Sequence, residues 1–304
     1  MAADMSHEHW LKKLTNLNKA RDNAPHKPLL LLVVLEMAER DEVAWDGQFL
    51  TPELAFRFET FATVVQYRRT QRLDIRMPFH HLKTQGFWSA RTESGEPSSH
   101  RSVTKFIVVE PGFAEACRDA EFRTAARQIL IQTHFEPAER NALYNLVGLA
   151  VPTDDEIALH AMFETPDDAS QVGRSGRFRL DVAAAYDYTC ALTGYRVNTV
   201  AAGSIVDAAH IHQFSDSQNN DPRNGMALSK NAHWLFDSGL WSIDDDYRIL
   251  VANDEFTESS PNQRSLVEFS GERLGLPSNE QFWPDRRHLR LSLIHISEPT
   301  RPLD

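Results

Sequence analysis

The chain has 304 residues, 41% apolar and 25% charged, with a formal net charge of −11. That composition supplies enough apolar side chains for packed cores and excludes wholesale disorder. Two cysteines, Cys117 and Cys190, exclude a disulfide framework and a four-cysteine zinc site. The longest apolar run, Pro28–Leu35, has eight residues, where a membrane span needs about 20. The N-terminus, MAADMSHEHW, is polar and carries no apolar signal segment, so a cytoplasmic location without a membrane partner is expected.

In chain order, residues 6–20 and 27–40 read as helices, the second apolar on most faces and therefore buried. Thr51-Pro52-Glu53 is a helix start, with a cap residue, a proline at the first position and an acid after it. The segment Tyr67–His81 sets Arg68, Arg69, Arg72, Arg76, His80 and His81 against a single acid, Asp74. Arg101–Val109 is β-branched and reads as a strand, Pro111–Phe135 as one or two helices, and Pro137–Leu149 as another. From Val151 to Gly176 the composition shifts to VPTDD, TPDDAS and GRSG, a linker pattern. Beyond it, Phe178–Tyr186 reads as a helix, and Thr189–Thr193 and Ser204–His212 read as strands. A short helix capped by Ser229 ends at Gly239, and a hairpin turns over Asp244-Asp245-Asp246.

The expected fold class is α+β, with a mainly helical first domain at 1–150, a linker at 151–176 and a strand–strand–helix domain at 177–290. Residues 1–150 hold 19 Lys+Arg and 19 Asp+Glu, and residues 151–304 hold 13 and 24, so the acidity sits in the second part. Leu291–Arg301, LSLIHISEPTR, matches the conceptual translation of a transposon-end sequencing adapter. Residues 291–304 are therefore read as a non-native tail and kept out of fold reasoning.

Three residues of the second domain stand out: His210 in VDAAHI, Asn224 in NNDPRNGMAL and His233 in SKNAHWLFDSGL, at intervals of 14 and 9. Phosphodiester hydrolysis needs a base to activate water and a divalent cation to stabilise charge on the phosphate. A strand histidine can be the base, since its ordinary pKa is near 6.5, and a helix histidine and an amide oxygen can hold a metal.

Together with YDYTCALTG at 186–194, the segments AAHI, NGMALS and AHWLFDSGLWSID resemble the HNH endonuclease domain, over about residues 177–255. The form is that of bacterial modification-dependent restriction enzymes. The resemblance implies a ββα-metal fold acting on double-stranded DNA with Mg2+ or Mn2+. It implies His210 as general base, His233 as metal ligand, Asn224 as a metal ligand or an orienting residue, and Asp237 as a structural hydrogen-bond acceptor. The residue before the base is Ala209 where the family often has an acid or histidine. The nearest acid, Asp207, would bind metal only if a bulge or twist turned it to the face of His210. His212 reads as solvent-facing. Cys190 has no CxxC partner, so it is expected to be a buried apolar residue rather than a zinc ligand.

In the first domain, PHKPLLLL at 25–32 and IRMPFHHLKTQGFW at 75–88 resemble the sulfur-binding domain of enzymes that attack phosphorothioated DNA. The resemblance implies an apolar sulfur pocket of Met77, Pro78 and His81. It also implies phosphate contacts from His26 and Lys27, joined by the patch Arg68, Arg69, Arg72 and Arg76. Two alternatives stay open: a reader of methylated bases with an aromatic cage from Trp45, Phe87 and Trp88, and a non-catalytic DNA-binding regulator. A homodimer also stays open.

Overall fold

The computed structural model describes residues 2–18, 25–68, 73–151, 167–201, 203–253 and 255–290. The tail at 291–304, Arg69 and Arg72, the first part of the expected linker and the side chain of Arg68 lie outside the described residues. The chain divides into two units, 1–177 with 199–203, and 178–198 with 204–304.

The first unit is built on helices α1 (Ala2–Thr15), α2 (His26–Glu39), α3 (Pro52–Ala62), α4 (Arg76–His81), α5 (Pro111–Arg118), α6 (Ala120–His134) and α7 (Pro137–Leu146). Helix α2 has no polar face to offer water, and Leu29, Leu30, Leu31 and Leu32 are each fully buried. Each such leucine contributes about 2 kcal/mol of burial. Helix α3 starts as its sequence requires, with Leu54 N donating to Thr51 Oγ1 at 3.2 Å.

A three-stranded antiparallel sheet, in the order β1 (Gln48–Phe49), β3 (Phe106–Val109), β2 (Trp88–Arg91), completes this unit. The expected strand at Arg101–Val109 is a strand only from Phe106, because Arg101–Val103 form a 3-10 turn capped by His100. Strands β1 and β2 and helix α4 escape a periodicity reading, since none exceeds six residues. Helix α4 is fixed from below: Trp88 Nε1 donates to Phe79 O at 2.9 Å, and His80 Nδ1 lies 2.7 Å from Thr104 Oγ1.

Helix α8 (Asp167–Ala185) begins eleven residues before the expected Phe178, so the second part of the expected linker is helical. The small strands β4 (Asn198–Thr199) and β5 (Gly203–Ser204) are each divided between the units, and the second unit holds β6 (Val206–His210). The one-turn helix α9 (Phe214–Ser217), strand β7 (Gly225–Ser229), helix α10 (Lys230–Asp237) and the hairpin β8 (Trp241–Ile243)–β9 (Ile249–Val251) follow.

The partner of β6 is β7 and not Thr189–Thr193, which is a turn closed by Gly194 N donating to Cys190 O at 2.8 Å. The physical reason is burial. Met226, Ala227 and Leu228 are each 0% exposed and pair residue for residue with β6, whereas the 189–193 segment gives β7 one bond, Ala191 N to Ala227 O at 2.8 Å. The order is thus strand, strand, helix, through a different first pair. Ser229 stands at the start of α10 but makes no side-chain cap; its hydroxyl faces Cys190 Sγ at 3.6 Å. Trp241 Nε1 donates to Ala232 O at 3.0 Å and ties the hairpin to α10. Among the described residues no helix is long and apolar enough to cross a membrane.

Candidate active site and nucleic-acid interface

In the second unit, His210 ends β6 opposite Gly225 of β7. Glycine is required there for space: a Cβ at residue 225 would stand 2.5 Å from Val182 and 2.7 Å from Phe178. Without it, α8 lies against the strand end and Phe178 stacks flat on His210, with centroids 3.9 Å apart and planes at 7°. Phe214 adds a second ring at 5.4 Å. Burial between these rings lowers the His210 pKa, a hydrogen bond to Asn220 opposes it, and the nearby His233 and Asp237 act in opposite directions.

Asn220 Oδ1 faces His210 Nε2 at 3.0 Å. An amide oxygen only accepts, so Nε2 carries the ring proton and Nδ1 keeps the lone pair. That is the tautomer a general base needs.

Asn224 is fully buried and its side chain is wholly committed to the loop. Its Oδ1 accepts from His212 N at 2.9 Å, and its Nδ2 donates to His212 O and Asn219 O, each at 3.1 Å. It therefore orients the loop, which is the second of the two roles expected for it. The bulge that a metal role for Asp207 requires is absent. The β6–β7 ladder runs without a bulge, so Asp207 stays off the His210 face, and its Oδ1 accepts from Arg179 Nε at 2.8 Å.

His233 is brought to the site, with Nε2 at 3.3 Å from Asp237 Oδ2 one helical turn on. Sequence reasoning assigned Asp237 a structural role and missed the pair. The i, i+4 spacing on α10 was the available signal. These two side chains are donors that would together hold a divalent ion. Among the described residues no group of three or more His, Cys, Asp or Glu gathers as a closed metal cage. An open two-donor site is what these residues fit. Trp234, beside His233, is 65% exposed, an unusual exposure for so large an apolar surface. Cys117 and Cys190 are buried and free.

In the first unit, α4 carries Arg76, Met77, Pro78 and His81. Arg76 and His81 are exposed, while Pro78 is buried. Met77, between them, is half-buried. Lys27 Nζ donates to Asn18 O at 3.1 Å and Gln85 Oε1 at 2.8 Å, and His26 begins the same helix. Partial burial of the ring lowers the His81 pKa first, and the nearby Lys27, Lys83, Arg101 and His100 add to it. Lys27, Lys83 and Arg101 define a basic cluster, of which Lys27 alone is legible in the sequence. Arg101 contacts the Met77 sulfur from the 3-10 turn, a placement hidden by reading 101–109 as one strand. His80 is not part of this surface: it is buried against Thr104, and burial pushes its pKa down to about 4. The aromatic cage is corrected too, because Phe87 and Trp88 are 0% and 3% exposed and cannot line an open pocket.

Two family models match parts of the chain. Residues 190–244 match the model of the HNH endonuclease family. Residues 7–152 match the model of the ScoMcrA-like DNA sulfur-binding domain. No curated protein matches the chain. A solved structure described as a modification dependent TagI restriction endonuclease is 19% identical, with a TM-score of 0.31 over 51% of this chain and 46% of that one. The chain thus spans about half the length of that enzyme. In its own order, a segment similar to the DNA sulfur-binding domain is followed by a segment similar to the HNH endonuclease domain.

Proposed function

We propose that this protein is a restriction endonuclease that reads a backbone phosphorothioate in double-stranded DNA with residues 1–150 and cuts with residues 177–290. The observation that carries the reading is His210, held by Phe178 and Asn220 with Nδ1 free, beside the His233–Asp237 pair. In the cutting step, Nδ1 of His210 takes a proton from a water molecule. The water oxygen forms a new bond to phosphorus, one P–O ester bond breaks, and the leaving oxygen takes a proton from solvent water. His233 and Asp237 are the residues that would hold a divalent cation, Mg2+ or Mn2+, which when bound supplies charge stabilisation at the phosphate. Asn224 holds the loop in register, and Asp207 serves as the Arg179 partner.

For recognition, a sulfur in place of a non-bridging oxygen is larger and less hydrated. An apolar contact with Met77 favours it on the order of 1–2 kcal/mol. Lys27, Lys83 and Arg101 supply phosphate affinity, which is salt-dependent and blind to sulfur. A digestion panel tests the whole reading: plain, phosphorothioated and methylated duplexes, each with Mg2+, Mn2+ or EDTA. Metal-dependent cutting confined to the phosphorothioated duplex is expected. Cutting in EDTA, or of the methylated duplex alone, would reject the corresponding part.

A further inference from the structure

The HNH match ends at residue 244, yet the chain beyond it returns to the same site. Tyr247 Oη donates to Pro284 O at 3.1 Å, and Leu289 is 0% exposed, so residues 284–289 are anchored. From this anchor two ties reach the loop between β6 and β7. Asp285 N donates to Arg223 O at 2.9 Å, and Arg223 Nη2 pairs with Asp285 Oδ2 at 3.0 Å. Further along, Asn219 Nδ2 donates to His288 Nε2 at 3.3 Å.

Asn219 is the hub of that loop. Its Oδ1 accepts from Asp221 N at 2.9 Å, and its carbonyl accepts from Asn224 Nδ2 at 3.1 Å. Those bonds fix which end of its amide faces His288, so His288 Nε2 is the acceptor and the proton sits on Nδ1. That Nδ1 is buried with no partner among the described residues. A buried N–H without a partner is destabilising, a burden that a purely apolar residue at 288 would not carry. The next residue after Asn219 is Asn220, whose side chain sets the tautomer of His210.

We propose that residues 284–290 are a working part of the nuclease site, and that His288 is a positioning residue which holds the Asn219–Asn220 turn against His210. This rests on the reading of His210 as the base. The juxtaposition is specific: the acceptor nitrogen of His288 engages the residue adjacent to the one that orients His210. A chain ending at the family boundary would leave Asn219 without this tie.

The test uses the full chain with three variants: His288→Leu, which removes the acceptor, His288→Gln, which returns one, and Asn219→Ala, which removes the donor. Imidazole nitrogen NMR reads the His210 tautomer, and single-turnover cleavage with a DNA titration separates rate from binding. In His288→Leu, His210 is expected to lose its single Nε2–H form. The cleavage rate is expected to drop about tenfold at unchanged DNA affinity, the scale of a misplaced catalytic group. His288→Gln should restore both, and Asn219→Ala should reproduce the loss. An unchanged His210 tautomer in a folded His288→Leu or Asn219→Ala protein overturns the proposal, as does a loss in His288→Leu that glutamine does not restore. A wild-type protein that cuts no DNA would reject the nuclease reading instead, and the tautomer spectra would still decide the role of His288.

Discussion

His210 shows how much a single position depends on its neighbours. Burial between aromatic rings lowers its pKa, so the neutral ring persists below the ordinary histidine value. A base must be unprotonated to act. The acid limb of the kcat/KM profile is therefore expected below pH 6.5, with activity lost only as pH falls through that lowered value. A limb at or above the ordinary value would contradict this environment. His210→Ala is expected to lose about 10²- to 10⁴-fold in cleavage while DNA affinity stays within a few-fold, because it removes the base and leaves the reader intact. Gel-shift and cleavage assays on the same preparation separate the two.

At the scale of elements, the ββα core depends on a glycine that carries no chemistry. Gly225 lies in extended backbone, φ −136° and ψ 154°, so any residue could adopt its conformation. What excludes a side chain is the approach of Val182 and Phe178 within 3 Å of a Cβ. Gly225→Ala is thus expected to cost about 1–3 kcal/mol through overpacking. Because Phe178 must shift, the stack on His210 goes with it, and cleavage falls more than stability alone accounts for. Thermal melting with cleavage measured well below the transition checks this. Helix α2 is the opposite case, since its leucines are legible as a buried helix from the sequence alone.

Across the whole molecule the charge is divided by task. The basic cluster of Lys27, Lys83 and Arg101 lies in the first unit, while the acidic excess belongs to residues 151–304. Fragment 1–150 is expected to bind DNA alone, with Arg101→Ala or Lys83→Ala weakening plain and phosphorothioated duplexes alike and flattening the salt dependence. Met77→Ala should instead reduce the preference for sulfur. Matched-oligonucleotide titrations at two salt concentrations distinguish these outcomes, and equal affinity of the wild type for both duplexes would remove the sulfur reading.

The sequence by itself determined what local chemistry and long apolar patterns encode. These are the buried α2, the Thr51 cap, the strand–loop–helix placement of His210, Asn224 and His233, and the likeness of both segments to families that later matched. Each is set by residues close in sequence or by an intact motif. Only the tertiary structure decided which segment pairs with β6, that Asn224 serves the loop while Asp237 stands beside His233, and that Arg101 and His288 reach sites far from them in sequence. The reason is physical. A strand of five residues is chosen by the surface it buries, and a polar side chain's role by the partners that packing leaves open to it; neither is written in the spacing of the residues themselves.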